Sequence, residues 1–133
     1  MDLYAENILD HYRHPRLQGR LTAPTVTHTE NNPSCGDALT LDLVLADNHI
    51  IGCAWEGSGC AISQAGMSIL NETLIGMTLE EAAALTALSL RTHLGVPISP
   101  RRLKCALLSL HTLKNALHLA TKEPMQGWNE TAK

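Results

Sequence analysis

The stretch Leu39-Thr40-Leu41-Asp42-Leu43-Val44-Leu45 constrains the fold more than any other part of this chain. Its leucines fall on every second residue, so an extended backbone carries them all on one side, and that side needs an apolar partner. Asp47-Asn48-His49 supplies turn chemistry. Ile50 to Glu56 then returns as a second strand, with Ile51, Cys53 and Trp55 alternating onto one face. A connection this short makes the pair an antiparallel hairpin. Thr25 to Thr29 is β-branched enough for a further short strand ahead of it.

Helical periods flank this strand region. Leu3/Tyr4, Ile8 and His11/Tyr12 recur at helical spacing over residues 2–13. His14-Pro15 stops that helix, because the residue before proline disfavours the α region. Residues 15–24 then read as a loop. From about Ala61 the period changes, with Ile62, Ala65, Gly66, Ile69, Leu70, Thr73 and Leu74 marking a helix that ends near Gly76. Thr78 with Glu81 forms a capping box opening a helix through about Leu90. Ser99 as N-cap and Pro100 at the first helical position begin a long helix to about Thr121. Strands first and helices after is an α+β pattern. With 133 residues the chain is expected to form a single domain, residues 1–121, followed by a flexible tail, 122–133.

Four aromatic residues and no Phe leave the core to Leu, Ile, Val, Ala and Met. A net charge of −3 gives no reason to expect nucleic acid, since a phosphate-binding surface needs a basic excess. The acidic start Met1-Asp2-Leu3-Tyr4-Ala5-Glu6 lacks the basic and apolar regions of a signal peptide. No apolar run has a membrane-spanning length. The expectation is a cytoplasmic protein without a membrane or nucleic-acid partner, whose four cysteines serve as thiols or ligands rather than disulfides.

The cysteines differ in their settings. Cys35 lies in Asn31-Asn32-Pro33-Ser34-Cys35-Gly36-Asp37, a polar turn before the leucine strand. Gly36 lets the backbone bend there, so the Cys35 thiol and the Asp37 carboxylate can converge. Cys60 follows Glu56-Gly57-Ser58-Gly59 and opens a helix, where unsatisfied N–H groups favour a thiolate. Cys105 lies off the apolar stripe of its helix and beside Arg101, Arg102 and Lys104, whose charges favour a reactive thiol. Cys53, on a strand face, reads as a buried inert thiol. Three thiols and one carboxylate suit a tetrahedral Zn²⁺ site or a thiolate-rich iron–sulfur site, with the basic group compensating the negative charge of the ligands. Among the histidines, His11 and His14 read as a surface pair, and His111 and His118 as a solvated flank of the last helix.

Several ordered motifs resemble one family, the iron–sulfur cluster assembly scaffolds IscU, SufU and the N-terminal domain of NifU. They are Ile8-Leu9-Asp10-His11-Tyr12-Arg13-His14-Pro15-Arg16, Asn32-Pro33-Ser34-Cys35-Gly36-Asp37, Gly57-Ser58-Gly59-Cys60-Ala61-Ile62-Ser63 and Arg102-Leu103-Lys104-Cys105. The resemblance implies an α+β fold with a three-stranded antiparallel sheet and helices packed on it. It implies that Cys35, Asp37, Cys60 and Cys105 hold zinc or a transient [2Fe–2S] cluster. It also implies a cysteine desulfurase that delivers sulfur as a persulfide, with Cys35 the candidate acceptor and Cys105 the alternative, and acceptor proteins that take the cluster away. The Gly57 to Ser63 segment, and Arg102 three residues before Cys105, look like the SufU branch. Ile98-Ser99-Pro100-Arg101-Arg102 stands where the IscU branch carries L-P-P-V-K, and Lys104 replaces that branch's histidine. The segment between Cys60 and Cys105 lacks the length of the insertion typical of SufU. The scaffold role is expected, with a zinc-dependent sulfur acceptor as the alternative.

Overall fold

The leucine strand is the middle of a three-stranded sheet with order β1-β2-β3, antiparallel throughout. The computed structural model describes residues 3–133, with side chains from residue 6 onward. The elements are α1 (Leu3–Arg13), β1 (Val26–Asn32), β2 (Asp37–Ala46), β3 (His49–Ser58), α2 (Ala61–Leu74), α3 (Leu79–Ala83), α4 (Ala87–Leu94), a 3-10 turn (Pro100–Arg102), α5 (Leu103–Thr121) and α6 (Trp128–Thr131). The α+β fold with helices on a three-stranded antiparallel sheet is the one expected. Asp2, the expected first residue of the opening helix, and the side chains of Leu3 and Tyr4 on its stripe lie outside the described residues.

Leu39, Leu41 and Leu43 are fully buried. They share one core with Ile50 and Trp55 of β3, Met67 and Leu74 of α2, and Leu107, Leu110 and Leu113 of α5. Burying such side chains is worth about 1.5–3 kcal/mol each, so this face of the sheet is the main source of stability. Helices α2 and α5 approach closely at Gly66, where an added Cβ would lie 3.2 Å from Ser109 Oγ.

The sheet's opposite face is organised by Asp42, also fully buried. The loop after α1 pairs with the outer edge of β3, Gly19 N–H donating to Trp55 O at 2.7 Å and Trp55 N–H to Leu17 O at 3.1 Å. It then crosses the back of the sheet, where Arg20, the Leu21 N–H and the Thr27 hydroxyl all donate to the Asp42 carboxylate. A strand edge that would otherwise be open to other chains is covered in the same move.

Four details depart from the sequence reading. Val44 pairs with Gly52 but Leu45 with Ile50, so Ile51 is the extra residue of a bulge. Ile50 is therefore buried and Ile51 is 55% exposed, although strict alternation put Ile51 on the face of Cys53 and Trp55. The helix expected from Thr78 through Leu90 is two helices. Each has its own capping box, Thr78 with Glu81 and Thr86 with Ser89, and the second box ends the run of good helix formers before it. The long helix starts with a 3-10 turn over Pro100–Arg102, Ser99 making no side-chain cap, and regular α geometry begins at Leu103. Residues 122–133, expected as a flexible tail, fold back on α5 and include α6 with a buried Thr131.

Two histidines are also placed differently. His11 is buried rather than at the surface, its Nδ1 2.7 Å from Ser68 Oγ and its Nε2 3.4 Å from Glu72. Arg16 N–H donates to the same Ser68 hydroxyl, so one knot ties α1 and its loop to α2. Burial, and then the Arg16 charge, depress the His11 pKa, leaving it a neutral linker at neutral pH. His111 is buried rather than solvated. Among the described residues no helix is long and apolar enough to cross a membrane.

Candidate metal centre

The first pair of ligand candidates is set by the β1–β2 turn. Asn32 ends β1 and pairs with Asp37, which starts β2. In the turn between them the N–H groups of Cys35 and Gly36 both donate to Asn32 O, at 3.1 and 2.8 Å. Ser34 N–H donates to Asn32 Oδ1 at 3.3 Å. Gly36 takes φ +75°, the left-handed region open to glycine. The result points the Asp37 carboxylate inward, 1% exposed, and leaves Cys35 exposed at the rim.

Cys60 caps α2 from an extended backbone conformation after Gly59 at φ +139°. Its N–H donates to Asp37 Oδ1 at 3.2 Å and its Sγ lies 3.6 Å from Asp37 Oδ2. Ser63, a turn later, donates to Cys60 O at 3.1 Å and fixes the start of the helix. Cys105 comes from the first turn of α5 and is 2% exposed, with Sγ 3.0 Å from Cys35 Sγ and 3.7 Å from the donating amide of Asn32.

Donor atoms of Cys35, Asp37 and Cys105 all lie within 4.8 Å of one another. Cys60 is in contact with the Asp37 carboxylate but outside that tight trio. All four residues, with Gly59, Ser99, Arg101 and Arg102, line one open cleft of about 530 Å³. The four residues singled out from the sequence are thus brought together. Cys53 is not among them: it is buried on β3, its thiol against Asn71 O at 3.5 Å, and burial raises its pKa to about 11.

The basic neighbours of Cys105 divide. Arg101 and Arg102 line the cleft, but Lys104 turns away to lie 5.7 Å from the centre of the Trp128 ring. The expected lowering of the Cys105 thiol pKa is not what its surroundings produce. Burial raises it first, followed by hydrogen bonding with Cys35 and Asp37 and by the negative fields of Cys60 and Asp37. A cation bound among these donors would reverse that effect and favour the thiolate. Three sulfurs and a carboxylate oxygen are the donor set of a tetrahedral zinc ion or of a thiolate-held iron–sulfur cluster, so the residues present fit either group.

Asn32, part of the Asn32 to Asp37 motif, is a further residue of the site. Its position three residues before Cys35, with a proline between, is the signal of an Asx turn that would have found it. Gly59 is a second residue that shapes the site. A Cβ there would lie 2.6 Å from Asp37 Cγ, so glycine is what lets the carboxylate occupy its place.

Residues 3–124 match the NifU-like N terminal domain family. The Thermotoga maritima iron–sulfur cluster assembly scaffold protein IscU is 34% identical to this chain, covering 86% of it and 92% of the relative. The zinc-dependent sulfurtransferase SufU of Bacillus subtilis is 30% identical, covering 86% and 89%. Among solved structures, that of a candidate iron–sulfur cluster assembly scaffold for the SUF system from Fervidobacterium islandicum AW-1 aligns with a TM-score of 0.73 at 30% identity, covering 84% of this chain and 94% of that one. With the fold, the ordered motifs and these matches all in agreement, the chain belongs to the NifU-like N-terminal domain family, alongside the IscU and SufU proteins.

Proposed function

We propose that this protein is an iron–sulfur cluster assembly scaffold. Cys35, Asp37, Cys60 and Cys105 hold a transient [2Fe–2S] cluster as cargo, built with sulfur from a cysteine desulfurase and passed to acceptor proteins. The observation that carries this reading is the meeting of three cysteines and Asp37 in one open cleft. A structural metal site is closed, whereas a site that loads and unloads must be reachable.

Cys35 is the sulfur acceptor of choice because its thiol is exposed and that of Cys105 is buried. Its thiolate attacks the outer sulfur of the desulfurase persulfide. The new S–S bond forms as the old one breaks, and the displaced thiolate stays with the desulfurase. Arg102 at the cleft wall offsets the negative charge that gathers there. Asp37 contributes a harder oxygen donor than a thiolate, which makes one bond of the cargo weaker and exchangeable.

The test is anaerobic reconstitution with ferrous iron, cysteine, a desulfurase and a dithiol reductant that takes the persulfide sulfur to sulfide, followed by iron and acid-labile sulfide analysis. Equal amounts of iron and sulfide are expected, with loss of both in Cys35→Ser. Asp37→Ala is expected to slow cluster transfer to an apo-ferredoxin by roughly tenfold or more, within the range for altered metal surroundings. A variant that releases its cluster faster than the native chain would overturn the role given to the carboxylate.

A zinc-dependent sulfurtransferase is the second reading. It is favoured by the tight trio of Cys35, Asp37 and Cys105, sized for a single ion, with Arg102 beside it. It expects one zinc per chain, no sulfide, and stimulation of the desulfurase that disappears in Cys35→Ala.

A further inference from the structure

The last residues of the chain make contacts that the proposed cargo chemistry does not use. Residues 125–133 lie beyond the span matched by the family. Yet Trp128 of α6 stacks on His111 of α5, ring centres 4.0 Å apart and planes 16° from parallel, and it extends along α5 to Lys104. Thr131 Oγ1 sits 2.7 Å from His111 Nδ1 and also accepts from Gln126 Nε2 at 2.8 Å. Gln126 N–H donates to Asn115 Oδ1 at 2.7 Å, and Asn115 Nδ2 donates to Gln126 O at 3.2 Å.

These contacts continue through α5 to β1. Asn115 Nδ2 donates to Glu30 Oε2 at 2.8 Å, and His111 Nε2 lies 3.8 Å from Glu30 Oε1. His28 holds the same carboxylate from its own strand at 2.8 Å. Glu30 and Asn32 are alternate residues of β1 and share one face. Asn32 reaches Cys105, and Glu30 reaches His111 and Asn115. The polar contacts along this face therefore set how far α5 is advanced along β1. A slip of one residue would move Cys105 by about 1.5 Å, enough to break its 3.0 Å approach to Cys35.

We propose that residues 124–131 are a strap that fixes the register of α5 on β1 and thereby positions Cys105 in the cleft, with Trp128 and His111 as the positioning residues. Apolar packing holds α5 against the sheet, and the directional hydrogen bonds on both sides of α5 add a fixed position along its own axis. The side chains of His111 and Asn115 bond to the strap on one side and reach Glu30 on the other, so loosening the strap loosens both. The bearing of this strap on cargo binding rests on the scaffold reading; its effect on Cys105 does not.

The test therefore reads the thiol directly. The native 133-residue chain, freed of metal by a chelator, is pulsed with iodoacetamide and each cysteine followed by peptide mass spectrometry. Trp128→Ala is expected to speed alkylation of Cys105 by roughly threefold to tenfold, the loss of one aromatic stack, while Cys35 stays within about twofold. Trp128→Phe, which keeps a ring over His111, is expected to restore the native rate. Leu90→Ala, a core truncation in α4, controls for general loosening. Equal acceleration of Cys105 in Trp128→Ala and Leu90→Ala, or no rescue by Phe, would overturn the proposal. A chelator-competition titration with zinc separates the two readings. Native protein that binds no zinc or cluster defeats the scaffold proposal and leaves the strap standing, whereas unchanged Cys105 alkylation defeats the strap alone.

Discussion

Gly59→Ala is expected to yield a folded protein that has lost metal or cluster affinity by about 10- to 100-fold, the range for disturbing the groups around a ligand. The physical cause is local. Gly59 holds φ +139°, a conformation close to glycine-only, and a Cβ built there would lie 2.6 Å from Asp37 Cγ and 2.8 Å from Asp37 Cβ. The backbone strain costs about 1–3 kcal/mol, which a domain stable by about 5–15 kcal/mol survives. The site does not survive as well, because the buried Asp37 carboxylate must give up its place to admit the methyl group. It must swing away from the Cys60 N–H it now accepts from, and it leaves the trio with Cys35 and Cys105. Gly36→Ala is the matched control. It too forces alanine into positive φ beside a candidate ligand, but nothing lies within 4 Å of its Cβ. It should lose stability without a comparable loss of affinity. Chelator competition with zinc and urea unfolding of both variants separates the two effects. Equal affinities in Gly59→Ala and Gly36→Ala would remove Gly59 from any part in shaping the site.

The pairing of Asn32 with Asp37 explains how distant segments can be held to this tolerance. One end of the β1–β2 hairpin presents Cys35 and Asp37, the start of α2 brings Cys60, and the start of α5 brings Cys105. Asp37, Cys60 and Cys105 sit at the starts of regular elements anchored in the leucine core, and Cys35 sits in the turn between two such elements. Loops contribute the bends, at Gly36 and Gly59, but the sheet and helices set the distances. Arg101 and Arg102 precede α5 and face the same cleft, so cationic charge arrives with Cys105 rather than from a separate element.

What could be read from the sequence follows from which forces leave a local mark. The alternating leucines of β2 and the apolar stripes of α2 and α5 record burial against one partner, and burial against one partner is periodic. The bulge that exchanges Ile50 for Ile51 is set by how β2 and β3 must end together, which a single strand does not encode. The break between α3 and α4 was hidden by Glu80-Glu81-Ala82-Ala83-Ala84, all compatible with a continuous helix. Only the Thr86 hydroxyl, capping Ser89, marks the new start. His11 and His111 looked solvated because charge and polarity suggest exposure. Each is instead buried against a hydroxyl from elsewhere in the chain, Ser68 or Thr131. Cys35, Cys60 and Asp37 were legible because glycine and polar turns around a thiol have few structural uses. Cys105 was picked out for its basic neighbours, yet Asn32, Cys35 and Asp37 dominate its surroundings, and these are contacts between remote segments. The motifs, taken in order, supplied what spacing did not.

Asp42→Asn is expected to cost roughly 2–4 kcal/mol at about pH 7, among the largest losses available from a change that preserves shape. Asp42 Oδ2 accepts from Arg20 Nε at 2.7 Å and from Leu21 N–H at 3.0 Å. Its Oδ1 accepts from Arg20 Nη2 at 3.1 Å and from Thr27 Oγ1 at 2.7 Å. An asparagine amide has one oxygen, so whichever way it turns, two donors face an NH₂ group in a place where Asp42 is fully buried. The half-exposed Arg20 can turn to water, but the Leu21 N–H and its loop cannot follow without uncovering the sheet. The dependence on pH gives a second and independent reading. Burial works to raise the Asp42 pKa, but the hydrogen bonds from Arg20, Thr27 and Leu21, with the Arg20 charge, outweigh it and hold the pKa below the ordinary 3.8. A carboxylate with a lowered folded-state pKa stabilises the fold fully above its unfolded value and loses that contribution as pH falls through the folded one. The native protein's advantage over Asp42→Asn should therefore be constant from neutrality down to the region of pH 4 and shrink below it. Asp10, Glu80 and Glu81 also have lowered pKa values, but both proteins carry them, so the difference between the two isolates Asp42. Urea denaturation of both proteins at pH steps from about 7 to 3 measures it. A gap that persisted unchanged at the acid end would mean that the carboxylate is not what holds the loop across the sheet.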